Sequence, residues 1–245
     1  MSSIVLITWW TSWIWEATVQ KFAKQWATVY FTWRDKNRWE QIAHETWATF
    51  KNVDATNLTA TKELIDQIWT EHGQIDTLFL NAWSAKAVDI LETTEEIFDF
   101  TYTLNVKSPV MSIQYALPYL KNWSSVILTG SVAWQAWYRW FNIYWSTKAA
   151  IINIAQTYAA WLAEQWVRIN TISPWPIDTD IFSAAWVPDE YVEWAKDQMW
   201  WMTALWRMGH ANEIADTVYF LASKQASYIT WTDIIVDGWM LAKKA

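Results

Sequence analysis

Short β-branched runs alternate with longer stretches of helical spacing from one end of this 245-residue chain to the other, and that alternation restricts the fold more than any other feature. The strand-like runs are Ile4–Thr8, Thr28–Thr32, Thr49–Val53, Ile75–Asn81, Ser125–Ser131, Val167–Ser173 and Asp233–Val236. Between them apolar residues recur at helical spacing over Glu16–Gln25, Lys36–Thr46, Thr61–Glu71, Thr94–Leu120 with a break near Pro109, Tyr144–Gln165 and Asn212–Ser223. Parallel strands need long crossovers, usually helical, so this order predicts an α/β doubly wound parallel sheet. Right-handed crossovers place the helices on both faces. The stretch from Pro174 to Met208 lacks strand character and is rich in Pro, Asp and Trp. In such a sheet it hangs over the carboxyl ends of the strands, where ligands bind.

With 53% hydrophobic residues the chain can bury a full core, and a length of 245 is ordinary for one α/β domain, expected here over 1–245. A net charge of −7 without clustered Lys or Arg argues against a nucleic-acid or anionic-membrane partner, because both surfaces demand concentrated positive charge. The absence of cysteine removes disulfides, thiolate catalysis and thiolate metal sites. His44, His72 and His210 lack ligand spacing, so no metal site is expected. No apolar run reaches the roughly 18 residues of a membrane span, and no basic segment leads into a signal-like one. A soluble, cytoplasmic protein acting on a small molecule is the expectation.

Two counts are anomalous. The chain has 4 glycines and 25 tryptophans, whereas average usage gives about 7% glycine. The first turn after a strand reads Thr8-Trp9-Trp10-Thr11-Ser12-Trp13-Ile14-Trp15, placing four indoles where chains ordinarily use glycine.

Tyr144 and Lys148 stand four apart at the start of a helical stretch, which puts both side chains on one helix face. A phenol with a pKa of about 10 is a poor acid-base group near neutrality unless a neighbouring cation favours its phenolate. Lys148 is such a cation. Alone, the pair is a common coincidence, but Ser131 precedes it at the end of "SSVILTGS" and Asn105 stands upstream in "LNV". Ser131 alone reads as a strand-end hydroxyl that caps a turn, and Asn105 alone as a residue that breaks a helix by bonding to backbone. After the next strand comes "PWPIDTD".

In this order and spacing, from Ile4 to Leu241, the chain resembles the short-chain dehydrogenase/reductase family. The likeness includes "LFLNAW", where the family has Asn-Ala-Gly, "NVDATN" with Asp54, and a closing "ITWTDIIVDGWM". Trp9, Trp13 and Trp15 occupy all three glycine positions of the family's nucleotide fingerprint, and Trp83, Trp175, Trp231 and Trp239 stand at other family glycines. Trp145 falls where glycine is frequent. Two readings of this pattern stay open. Either tryptophan stands in the written sequence for the glycine of a parent chain, or the chain is a variant whose cofactor site is blocked by indoles. An indole in a packed site costs about 1–3 kcal/mol, and positive φ about 1–2 more, so the literal sequence is expected to strain both fold and site.

The resemblance implies a Rossmann-like fold of about seven strands and hydride transfer between a nicotinamide and a carbonyl or alcohol carbon. Carried over by position, Tyr144 is the acid-base group and Lys148 lowers its pKa while binding the nicotinamide ribose. Ser131 bonds the substrate oxygen, and Asn105 holds a water linking Lys148 to solvent. Thr11, Ser12 and Ile14 face the phosphates at a helix N-terminus. Asp54 and Ala55 flank the adenine, Asn81, Ala82 and Trp83 the adenosine ribose, and Ile177 and Thr179 the carboxamide. Arg34, after the second strand, suits a 2′-phosphate, so NADP(H) is expected over NAD(H), with Asp35 opposing. The segment from Ile181 to Trp206 is the expected substrate lid, a small or medium ketone or alcohol the expected substrate, and a homotetramer the expected assembly.

Overall fold

The first strand, β1 (Ile4–Thr8), is apolar until its last residue and buried along its whole length. A strand buried on both faces belongs to the middle of a parallel sheet, and that is its place. In the computed structural model, which describes residues 2–8, 14–33, 39–135, 141–179 and 189–242, β1 pairs in parallel with β2 (Thr28–Trp33) and with β4 (Ile75–Leu80). The other strands are β3 (Thr49–Asn52), β5 (Leu120–Thr129), β6 (Arg168–Pro174) and β7 (Asp233–Val236). All pair in parallel, in the order β3-β2-β1-β4-β5-β6-β7. The strand order reverses at β1, between β2 and β4, which opens a crevice at the carboxyl ends.

The described helices are α1 (Ile14–Lys24), α2 (Trp39–Thr46), α3 (Leu58–His72), α4 (Glu95–Tyr102), α5 (Ser108–Ala116), α6 (Asn142–Ala163), α7 (Asp189–Met202) and α8 (Ala211–Ala222). Alternation along each strand divides the core in two. Leu6, Leu78 and Leu128 join residues of α3, α5 and α6 on one face, whereas Ile7, Phe79 and Ile127 join residues of α1 and α8 on the other.

Most elements lie within a few residues of their expected places, with two corrections. The long helix expected over Thr94–Leu120 is interrupted by a π-helical turn, Thr103–Lys107, just ahead of Pro109, whose ring nitrogen has no N–H to give the preceding turn. Its lost register carries Asn105 inward. The stretch from Pro174 to Met208 contains α7, whose weak apolar periodicity hid it.

Trp15, at the third glycine position of the fingerprint, is buried in the core, 5.3 Å from Phe31 and 4.6 Å from Trp39 between ring centroids. Trp9 and Trp13 lie outside the described residues.

Candidate active site

The carboxyl end of β5 delivers Thr129, Gly130 and Ser131 to the crevice. Gly130 fits closely against neighbouring side chains. A Cβ there would lie 2.5 Å from Ser173 Oγ and 3.3 Å from the Ile152 side chain, so a larger residue would force the Ser173 hydroxyl to move and crowd Ile152. Ser131 is buried and forms a hydrogen bond with Tyr144, which stands in the first turn of α6 and is also buried. One turn further on, the wholly buried Lys148 donates from Nζ to the Thr129 carbonyl at 2.7 Å. Its amine lies 5.6 Å from the centre of the Tyr144 ring and 5.2 Å from that of Trp83. The helix thus presents Tyr144 and Lys148 on one face, as their spacing requires.

Burial governs the protonation of both groups. Desolvation pushes the Tyr144 phenol well above its ordinary range, and the Ser131 hydrogen bond pulls the other way. The same desolvation pushes the Lys148 ammonium down to about 7. A buried amine held by one carbonyl is thereby placed to exchange its proton near neutrality.

Asn105, inside the π-helical turn, is buried and fully engaged. Its Oδ1 accepts from the Ser84 N–H at 2.9 Å, and its Nδ2 donates to the Ser84 carbonyl at 2.9 Å and to Thr147 Oγ1 at 3.0 Å. These bonds tie the loop after β4 to the residue that precedes Lys148. A π-helical turn carrying an inward polar side chain is frequent at functional sites.

The nucleotide-binding candidates divide into three groups. Ile14, Trp83, Ile177 and Thr179 line one small cavity with Ser131 and Tyr144, about 30 Å³ in volume and partly open to solvent. Asp54, Ala55, Asn81 and Ala82 lie at the ends of β3 and β4: Asp54 accepts from the Thr56 N–H and hydroxyl, both at 2.7 Å, and Ala55 packs with Ala82. Thr11, Ser12 and Arg34 lie outside the described residues, as do Asp35 and the part of the expected lid from 181 to 188. The rest of that lid includes α7, where Lys196 forms an ion pair at 3.3 Å with Asp178, between Ile177 and Thr179.

The donors in the crevice suit a ligand with ribose and amide groups. Asn81 Oδ1 accepts from Thr129 Oγ1 at 2.7 Å, while its buried Nδ2 has no hydrogen-bond partner, nor has the buried Trp175 Nε1. Buried donors are rarely left without partners, so each is a point at which a ligand acceptor gains a bond. The indoles of Trp83 and Trp175 stand against this fit by taking room in the same cavity.

Thr129, Thr147 and Ser84 were not singled out from sequence. Thr129 is the last residue of β5, two before Ser131, and Thr147 lies within the Tyr-x-x-x-Lys segment, so both stand next to residues that the sequence did mark. Ser84 acts through its backbone, which leaves no signal in a sequence.

The chain matches, over residues 12–240, a family model described as enoyl-(acyl carrier protein) reductase. It is 30% identical over 229 residues to the oxidoreductase asL5 of Sarocladium schorii, covering 91% of this chain and 89% of that protein. It is 28% identical over 242 residues to the 3-oxoacyl-(acyl-carrier-protein) reductase FabG of Thermotoga maritima, covering 96% of each. Among solved structures it superposes on a short-chain dehydrogenase/reductase from Serratia marcescens with a TM-score of 0.88 at 23% identity and 98% coverage of both chains. It superposes on BdcA in complex with NADPH with a TM-score of 0.86 at 26% identity, covering 96% of this chain and 93% of that one. A seven-stranded parallel sheet in this order, a Ser-Tyr-Lys corner at the carboxyl end of β5 and a family match along nearly the whole length agree: the chain belongs to the short-chain dehydrogenase/reductase family of oxidoreductases.

Proposed function

We propose that this protein is an NADP(H)-dependent carbonyl reductase or alcohol dehydrogenase that interconverts a small or medium ketone and its secondary alcohol, with Ser131, Tyr144 and Lys148 as its catalytic residues. One observation carries the reading: the buried Ser131–Tyr144 hydrogen bond at the end of β5, with Lys148 one helical turn behind it. A nicotinamide, when bound, supplies or accepts the hydride. Ser131 and Tyr144 hold the substrate oxygen between two hydroxyls, and Tyr144 gives that oxygen its proton in reduction and takes it back in oxidation. Burial keeps the phenol protonated and so ready to donate. Lys148, charged below about pH 7, favours the phenolate left behind. Asn105 is assigned, as the resemblance implies, to the water that links Lys148 to solvent, and its bond to Thr147 also fixes the start of α6.

Along the crevice, Thr11, Ser12 and Ile14 are assigned to the phosphates, Asp54 and Ala55 to the adenine, and Asn81, Ala82 and Trp83 to the adenosine ribose. Lys148 is assigned to the nicotinamide ribose, and Ile177 and Thr179 to the carboxamide. Arg34 selects the 2′-phosphate, and the NADPH complex of BdcA supports that preference. Residues 1–245 act as one catalytic domain with a substrate lid over 181–206, and family analogy favours a homotetramer. A second reading has its own observation. Trp83 and Trp175 line the catalytic cavity, as in a non-catalytic scaffold with a blocked cofactor site.

Titration with NADPH and NADH, followed by ketone reduction, separates these readings. NADPH binding with turnover is expected. A folded protein that binds neither nucleotide favours the blocked scaffold, and a preference for NADH removes the role given to Arg34. Tyr144→Phe is expected to lower turnover by about 10²–10⁴ while leaving nucleotide binding intact. Undiminished turnover would refute the catalytic assignment.

A further inference from the structure

Among the described residues, every non-glycine residue with positive φ is a tryptophan: Trp26, Trp47, Trp123, Trp166, Trp206, Trp231 and Trp239, with φ between 56° and 77°. Left-handed backbone is uncommon outside glycine, and where another residue adopts it, Asn and Asp are favoured; for a bulky side chain it is an outlier. No Asn, Asp or other residue type shares these seven places. Two of the seven end helices in one recurring way. After α1, Trp26 N–H donates to the Ala23 carbonyl and Ala27 N–H to the Phe22 carbonyl; after α6, Trp166 N–H donates to Ala163 and Val167 N–H to Leu162. Paired bonds of this kind form a Schellman motif whose left-handed residue is usually glycine. Gly73 fills the left-handed place after α3, with φ 70°. The indoles gain little in return, since Trp26 is 88% and Trp47 95% exposed.

We infer that the working form of this protein carries glycine where the structure holds left-handed tryptophan, and that the exchange arose in decoding, from UGA codons read as glycine in the cell of origin and as tryptophan under another code. One codon with two meanings exchanges the two residues throughout a chain in a single event. It also accounts for the four glycines that remain, which are then written with ordinary glycine codons. Five of the seven positions, Trp26, Trp47, Trp123, Trp166 and Trp206, lie outside the family motifs, so the inference stands on backbone geometry and is independent of the proposed catalysis.

The decisive measurement is mass spectrometry of the protein from its own cells, together with the codons of its gene. Glycine in the peptides spanning residues 26 and 47, an intact mass below 29.0 kDa and UGA at both codons are expected. Tryptophan in those peptides, or UGG at those codons, would overturn the inference. Stability tests the backbone argument separately from any activity. Trp26→Gly and Trp47→Gly are expected to raise the thermal midpoint, whereas Trp161→Gly, at an exposed position within α6, lowers it. A lowered midpoint in all three variants would overturn the backbone argument.

Discussion

The corner around Tyr144 and the turns that end α1 and α6 belong to one chain, yet they relate to their sequence in opposite ways. In the corner each function rests on what a side chain carries: a phenol, a hydroxyl and an amine brought together by β5 and the first turns of α6. At the helix ends the function rests on what a side chain lacks, because a left-handed residue does best without a Cβ. Tryptophan in the turns leaves the corner's residue types untouched and loads the backbone around it. The catalytic chemistry of such a chain therefore remains readable where its turns do not.

Lys148 gives the comparison its largest expected effect. Its folded-state pKa is depressed to about 7 from 10.5 by burial, so between these values the unfolded chain binds the extra proton and the folded one does not. Stability contributed through this group therefore rises with pH across that window and is lowest below it. Lys148→Met is expected to flatten the rise between pH 7 and 9, read as the difference between the two proteins in denaturant midpoint. Equal slopes would show that the amine is not desolvated as its burial indicates. Next in size is Ser131→Ala. Loss of one fixed donor to a developing oxyanion costs about 10²–10³ in turnover, so kcat is expected to fall by that factor, with NADPH affinity unchanged. A variant of full activity would leave Ser131 with only a turn-capping role.

Seven strands, their order of appearance and the helices between them could be read from the sequence because apolar periodicity survives when glycine positions are filled by indoles. The Tyr144, Lys148 and Ser131 cluster was legible only through the resemblance to the family, whose order and spacing it repeats; periodicity located no more than the ends of β5 and α6 that carry it. The break at Thr103–Lys107 was displaced to Pro109, because proline is a visible helix breaker, whereas a π-helical turn follows from tertiary bonds to Ser84 and Thr147. α7 lacked a strong apolar face, so its stretch showed in the sequence only as one without strand character. The burial of Trp15 was also illegible, since its partners Phe31 and Trp39 come from β2 and α2, separate in sequence.

The cavity joins the two regions, because Trp83 and Trp175 line it together with Ser131 and Tyr144. If they crowd the site as overpacked residues do, relief is worth about 1–3 kcal/mol, so Trp83→Gly with Trp175→Gly is expected to tighten NADPH binding roughly tenfold to a hundredfold in a calorimetric titration. Unchanged affinity would mean that the indoles yield to the nucleotide and that the blocked-site reading fails.

The smallest expected effect bears on the helix ends themselves. A Cβ on Gly73 would meet nothing within 4 Å, so Gly73→Ala tests left-handed backbone free of any steric clash. It is expected to lower stability by about 1 kcal/mol, toward the lower end of the cost of that conformation for an L-residue. Trp26→Ala keeps a Cβ in the same conformation and removes an indole that is almost entirely in solvent, so it is expected to change stability by less than about 0.5 kcal/mol. The two substitutions share an end product, alanine at φ 61° or 70°, and differ only in what they replace. Equal losses at both sites would mean that the Trp26 indole contributes stability of its own. A loss at Gly73 alone would place the cost at α1 in the backbone, already borne by the tryptophan chain and relieved only by glycine.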